Sequence, residues 1–291
     1  MWVPGIGTEL EKECVMRRVC VVVLCLLMGL LTVACGSDGG DGGPTEAVVT
    51  DYAELSEWIS GGEEMVLIDV RTKADFAAGH LQNAINVDLA DIKGSDGALL
   101  AGGKALTDAV SDKDSTLVLY CFGYGNDADF AKLAIDLGYS SVFRYAGGTQ
   151  DWVEENGDYL VIEYEGFKAW HDAKFPFDDG SHYLIDDLPE AWYTGEDTAH
   201  PGGHIPGALN LPAELFADGE GNPVDQGTAL TSLVPDKEAT LVIYCGNPAC
   251  GKSLMGVKAA VKLGYRHVYR YQGGWQEWQD EGNALKPGLD P

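Results

Sequence analysis

A chain of 291 residues, 45% apolar with seven Trp and thirteen Tyr, is long enough and apolar enough for two packed domains, which excludes a disordered protein. Its formal net charge of −27 excludes nucleic acid as a partner, because a phosphate backbone would be repelled rather than neutralised.

The first element in chain order is Val19 to Ala34, sixteen uncharged residues including Val21, Val22, Val23, Leu24, Leu26, Leu27 and Leu30. Spanning a ~30 Å hydrocarbon core takes roughly 20 residues, so the run fits the apolar region of a signal peptide, with Arg17 and Arg18 as its positive flank. A non-cleaved membrane anchor is the alternative. Leu31-Thr32-Val33-Ala34-Cys35-Gly36 resembles a bacterial lipoprotein processing site, with Thr32 where Leu is usual. The resemblance implies lipidation at Cys35 and an exported protein anchored to a bacterial membrane, on the periplasmic or cell-surface side. Glu9, Glu11 and Glu13 do not belong before a signal peptide, whereas Met16-Arg17-Arg18 begins one properly. Translation is therefore expected to start at Met16, and Trp2-containing peptides in the unprocessed precursor would refute this.

Residues 1–35 thus form the leader and residues 36–47 a flexible linker, whose polar Gly36 to Pro44 stretch has nothing to bury. The leader holds three Lys/Arg and three Glu, so the mature charge stays near −27. Of seven Cys, Cys14, Cys20 and Cys25 leave with the leader and Cys35 carries lipid. The remaining Cys121, Cys245 and Cys250 read as reactive thiols rather than a disulfide framework, with a 245–250 pair left open.

The rest of the chain repeats itself. Leu117-Val118-Leu119-Tyr120-Cys121 returns as Leu241-Val242-Ile243-Tyr244-Cys245, each a buried-strand pattern ending in Cys. Val142-Phe143-Arg144-Tyr145-Ala146-Gly147-Gly148 returns as Val268-Tyr269-Arg270-Tyr271-Gln272-Gly273-Gly274. Gly79-His80 parallels Gly203-His204, and each His lies 41 residues before its Cys. From Cys to the Gly pair the distance is 26 residues in the first copy and 28 in the second, which puts a two-residue difference in the loop after the Cys. Strands alternating with helical stretches, such as Ala128 to Leu137 and Ser253 to Leu263, predict an α/β fold: two tandem domains, residues 48–158 and 159–291, each a mostly parallel sheet flanked by helices. Ligands of such sheets sit beyond the carboxyl ends of strands, where both Cys fall.

Leu67-Ile68-Asp69-Val70-Arg71, Asp75-Phe76, Gly79-His80, Tyr120-Cys121 and Gly147-Gly148 resemble the successive signatures of a rhodanese domain. So do Leu184-Ile185-Asp186, Gly203-His204-Ile205-Pro206-Gly207-Ala208, Tyr244-Cys245 and Gly273-Gly274-Trp275. The resemblance implies sulfurtransferase chemistry through a cysteine persulfide, with no cofactor. A thiosulfate or polysulfide-type donor and a thiol acceptor, including a protein, are the implied partners. In this resemblance the loop curls round the sulfur of Cys245, aims backbone N–H groups at it and runs into a helix N-terminus, so that the thiol ionises.

The second loop, Cys245, Gly246, Asn247, Pro248, Ala249, Cys250, Gly251, Lys252 and Ser253, has the parts for this. Cys245 is the expected nucleophile. Gly246 and Gly251 allow close backbone approach, Ser253 is a candidate helix cap, and Lys252 can meet an anionic donor. Cys250 is open between a resolving thiol and a simple loop residue. The first loop makes Cys121 the weaker candidate, because Asp127 and Asp129 favour its thiol form and repel an anion.

Asp69 and Arg71 are expected to form a structural pair, which the second copy lacks. That copy has seven extra residues between Asp186 and His204, Thr194 to Pro201 among them, read as a solvated loop or a substrate mouth. His80 and His204 match a recurring turn signature rather than a catalytic base. Neither Cys is followed by Arg six residues on, as an oxyanion-gripping phosphatase loop requires, and no metal-ligand spacing or nucleotide loop is present. A non-catalytic binding or sulfur-carrier module, and a thiol redox protein using Cys245 and Cys250, are the alternatives to the enzyme.

Overall fold

The computed structural model describes residues 44–123, 125–177, 179–197 and 202–291. The expected start at Met16, the apolar run, the Cys35 lipidation site, most of the tether and residues 198–201 of the insertion lie outside them.

The strands are β1 Val48–Thr50, β2 Val66–Asp69, β3 Ile85–Asn86, β4 Thr116–Tyr120, β5 Ser141–Tyr145, β6 Leu160–Ile162, β7 His182–Asp186, β8 Ala208–Asn210, β9 Thr240–Tyr244 and β10 His267–Tyr271. They make two five-stranded sheets, ordered β1-β5-β4-β2-β3 and β6-β10-β9-β7-β8, with every neighbouring pair parallel. The apolar runs of β4 and β9 form central strands because both faces of such a sheet are covered. Leu117 and Leu119 join one core while Val118 and Tyr120 join the other, and Leu241 and Ile243 part from Val242 and Tyr244 in the same way. Each Cys leaves the end of a central strand, where a parallel sheet exposes its ligand crevice.

The Tyr before each Cys ties the upstream signature to the strand. Tyr120 Oη accepts the Leu81 N–H at 3.1 Å; Tyr244 Oη accepts the Ile205 N–H at 3.0 Å and donates to Asp186 Oδ2 at 2.9 Å. The histidines are structural too. His80 stacks on Phe76 at 3.8 Å with Nδ1 3.1 Å from the Phe76 carbonyl oxygen, and His204 stacks on Tyr193 at 3.7 Å with Nδ1 3.0 Å from the Tyr193 carbonyl oxygen. Burial brings the His80 imidazole down to about 4, so it is neutral at physiological pH.

Backbone bridges join His80 to Val161 of β6 and His204 to Lys286, so the first His turn is tied to a strand of the second sheet and the second His turn to the C-terminal stretch. The helix Tyr164–Lys174 meets the helix Lys73–Ala78 at Gly166, where a Cβ would fall 2.1 Å from the Ala77 carbonyl oxygen. Arg71 pairs with Asp69 at 2.6 Å and also reaches the Gly79 carbonyl, as its place in the signature predicts.

Candidate active site

Cys245 ends β9 with its side chain turned inward. It is 1% exposed, and its Sγ lies 3.3 Å from the Cys250 carbonyl oxygen and 3.2 Å from Ser253 Oγ. Cys250 is only partly buried. The backbone N–H groups of Gly246 and of Lys252, the first residue of the helix Lys252–Lys262, favour its thiolate. The two sulfurs hold one easily lost proton between them. The hydrogen bond from Cys245 brings the Cys250 thiol down to about 6, helped by the loop amides and Lys252 and opposed by burial. The same bond, followed by burial and the Asp187 carboxyl, pushes the Cys245 thiol far up. The loop amides of Gly246 and Lys252 thus favour the thiolate of Cys250, whereas Cys245 Sγ faces the Cys250 carbonyl oxygen and Ser253 Oγ.

Arg270 on β10 underlies this loop. It is 5% exposed and donates to Ser253 Oγ at 3.1 Å, to Gln272 Oε1 at 3.3 Å and to the Cys250 carbonyl oxygen at 3.4 Å. Among the described residues no carboxylate pairs with it. A guanidinium stays charged at any ordinary pH, so this buried cation calls for an anion nearby, and the thiol pair is the group placed to supply it. The first domain answers the same demand differently. Arg144 pairs with fully buried Asp127 at 2.7 Å, and Cys121 Sγ–H points to Asp127 Oδ1 at 3.3 Å and to the Gly123 carbonyl. Burial and the Asp127 charge raise the Cys121 thiol, so it stays protonated. With the two-residue offset, Ser253 stands where Asp127 stands.

Asp187 occupies the position of Val70. It is fully buried, and neither carboxyl oxygen has a hydrogen-bond partner among the described residues. Burial first, then the neighbouring Asp186 and Cys250, raises it well above its ordinary value. Burial also pushes Asp186 up to about 7, against hydrogen bonds from the Leu188 N–H and Tyr244.

Three sequence-based expectations need correction. Ser253 is not the cap of its helix; it lies inside the helix, fully buried, with Oγ turned to Cys245 and Arg270. Gly246 and Gly251 have no close neighbour that a Cβ would strike; the constrained glycine is Gly274, at φ +65° with a Cβ position 2.2 Å from the Cys245 carbonyl oxygen. Lys252 Nζ is paired with Glu214, so its ammonium is already engaged. Asn247 bonds to Gln276 and to the Ala249 N–H, which shapes the turn through Pro248.

A cleft of about 400 Å³ opens over the loop, walled by Leu188, Trp192 and Trp275, with Asn247, Ala249, Cys250 and Lys252 at its base. Among the described residues no group of His, Cys, Asp and Glu is placed to hold a metal.

The family description "Rhodanese-like domain" matches residues 51–155 and 166–281. The chain belongs to the rhodanese-like family. As a rhodanese-like protein it is 26% identical over 274 residues to a "Putative thiosulfate sulfurtransferase" of Synechococcus elongatus, covering 78% of this chain and 82% of that one. It is 29% identical over 111 residues to the human thiosulfate:glutathione sulfurtransferase, covering 38% of this chain and 96% of that one. A solved thiosulfate sulfurtransferase from Pseudomonas aeruginosa is similar over 84% of this chain and 44% of its own, at 20% identity and a TM-score of 0.33. The family match and the curated relatives make the chain a rhodanese-type enzyme. Within it, Arg270, Asp187 and Trp192 are residues at the site to which motif reading gave no role. A charged residue held at the same place in two apolar strands, and an Asp in place of Val between the copies, were the available signals.

Proposed function

We propose that this protein is an extracytoplasmic sulfurtransferase that moves a sulfane sulfur from thiosulfate or a polysulfide-type donor to a thiol through a persulfide on Cys245, with the first domain as a silent partner. The observation that carries this reading is Arg270, a buried cation that bonds the Cys250 carbonyl oxygen and the same Ser253 Oγ that Cys245 Sγ faces, and that pairs with no carboxylate among the described residues. The thiolate form of the pair attacks the outer sulfur of the donor, sulfite or a shorter polysulfide leaves with the bonding electrons, and the persulfide passes its sulfur to an acceptor thiol. Apolar walls and a chain charge of −27 suit a protein-bound or neutral donor better than a small dianion, although salt screens repulsion beyond roughly 8–10 Å.

Export and lipid anchoring rest on the apolar run and the Cys35 site. Treating the full chain with thiosulfate or inorganic polysulfide should add 32 Da to the Cys245–Ser253 peptide, and a thiol should remove it. No adduct under any donor would end the reading. The placing of Cys245 Sγ 3.3 Å from the Cys250 carbonyl oxygen also favours a second reading, a dithiol redox protein; trapping thiols during isolation would then recover a 245–250 disulfide that cycles without a sulfane atom.

A further inference from the structure

The cleft meets one sulfur of the pair and not the other. Cys250 lines it beside Trp192, Trp275 and Ala249, and Cys245 does not. In-line attack needs the reacting atoms about 3–3.5 Å apart with the donor's leaving group pointing away. Cys245, 1% exposed and facing the Cys250 carbonyl and Ser253, has no such room. Cys250 has the room: it is only partly buried and lines the cleft with Ala249 and Lys252.

We propose that Cys250 receives the sulfur: it takes the sulfane atom from a donor seated in the cleft and relays it to Cys245, which holds it as a persulfide sheltered from solvent. This rests on the sulfurtransferase reading above. In the first step the Cys250 thiolate bonds to the donor's outer sulfur, and the donor's S–S bond breaks with its electron pair leaving on sulfite or on a thiolate. In the second step the Cys245 sulfur bonds to that outer sulfur as the Cys250–sulfur bond breaks. The Cys245 proton passes to the Cys250 sulfur, leaving Cys245 as the persulfide anion and Cys250 as the thiol. Charge and protons balance, and no oxidant or reductant is consumed. Arg270, bonded to the same Ser253 Oγ that Cys245 faces, is the counter-ion of the sheltered persulfide.

The test compares the full chain with its Cys250→Ser, Cys250→Ala and Cys245→Ser variants, each checked by thermal melting. Thiosulfate and inorganic tetrasulfide serve as separate donors, with alkylating quench at short times and peptide mass spectrometry. The wild type should show the 32 Da adduct on Cys250 first and on Cys245 later. Cys245→Ser should still load Cys250 and hold the adduct there, whereas both Cys250 variants should load Cys245 at least about 30-fold more slowly than the wild type. Wild-type loading of Cys245 in the Cys250 variants, or no adduct on Cys250 in Cys245→Ser, would overturn the relay while leaving sulfur transfer standing. Failure of the wild type to take up sulfur at all would remove both.

Discussion

Arg270 donates its Nε–H to Ser253 Oγ at 3.1 Å, in the place where Arg144 of the first domain is closed on Asp127 at 2.8 Å. One side chain thus separates two copies of a single architecture. With Asp127 the cation is neutralised inside the protein and Cys121 is left a hydrogen-bond donor. With Ser253 the cation is left for sulfur.

Ser253→Asp should close that difference. The carboxylate would take Arg270, as Asp127 takes Arg144, and the loop thiols would revert to protonated forms. Single-turnover sulfur loading at pH 7 should fall about 100-fold, with the melting temperature held or raised. Loading at the wild-type rate would show that Arg270 does not govern the sulfur.

The pH dependence of thiol chemistry should differ between the domains. Alkylation of the second loop should rise through about pH 6, following Cys250, whereas Cys121 should need alkaline solution because burial raises it. Cys121→Ser should leave sulfur transfer within about 2-fold of the wild type, since a buried protonated thiol is not a nucleophile. Site-resolved mass spectrometry across pH 5–10 reads both.

Asp187→Val copies Val70 and removes two buried oxygens without partners. The variant should be about 1–3 kcal/mol more stable at pH 7 by denaturant unfolding. The sign of its pH effect follows from linkage. A carboxyl whose folded pKa is raised binds more protons folded than unfolded, so the stability it contributes is full below pH 3.8 and is lost as pH rises through the folded value. Asp186, raised to about 7, acts in the same sense. Stability of the wild type should therefore drop more steeply above pH 4 than that of Asp187→Val, and parallel curves would contradict the raised Asp187 carboxyl.

Gly274→Ala should damage the loop from below. At φ +65°, with a Cβ 2.2 Å from the Cys245 carbonyl oxygen, the substitution forces the Cys245 backbone to move. A loss of about 2–4 kcal/mol and of sulfur loading is expected. Retained loading with normal stability would mean that the Gly pair does not set the sulfur's position.

The primary sequence by itself determined the architecture and where the chemistry would fall. Apolar runs such as Leu117 to Tyr120 and Leu241 to Tyr244 can be satisfied only as central parallel strands, and a residue directly after such a strand must face the crevice. The repeat made the tandem organisation readable, and Asp127 was already legible as a reason for Cys121 to be quiet. Tertiary structure alone decided which thiolate the loop amides favour, that Arg270 from a neighbouring strand lies beneath Ser253, that Lys252 is taken by Glu214 and that Asp187 is sealed from solvent. Proximity between groups tens of residues apart, and the burial that turns an ordinary Asp or Arg into a strong local influence, arise only when strands are laid side by side; neither is written in the spacing along the chain.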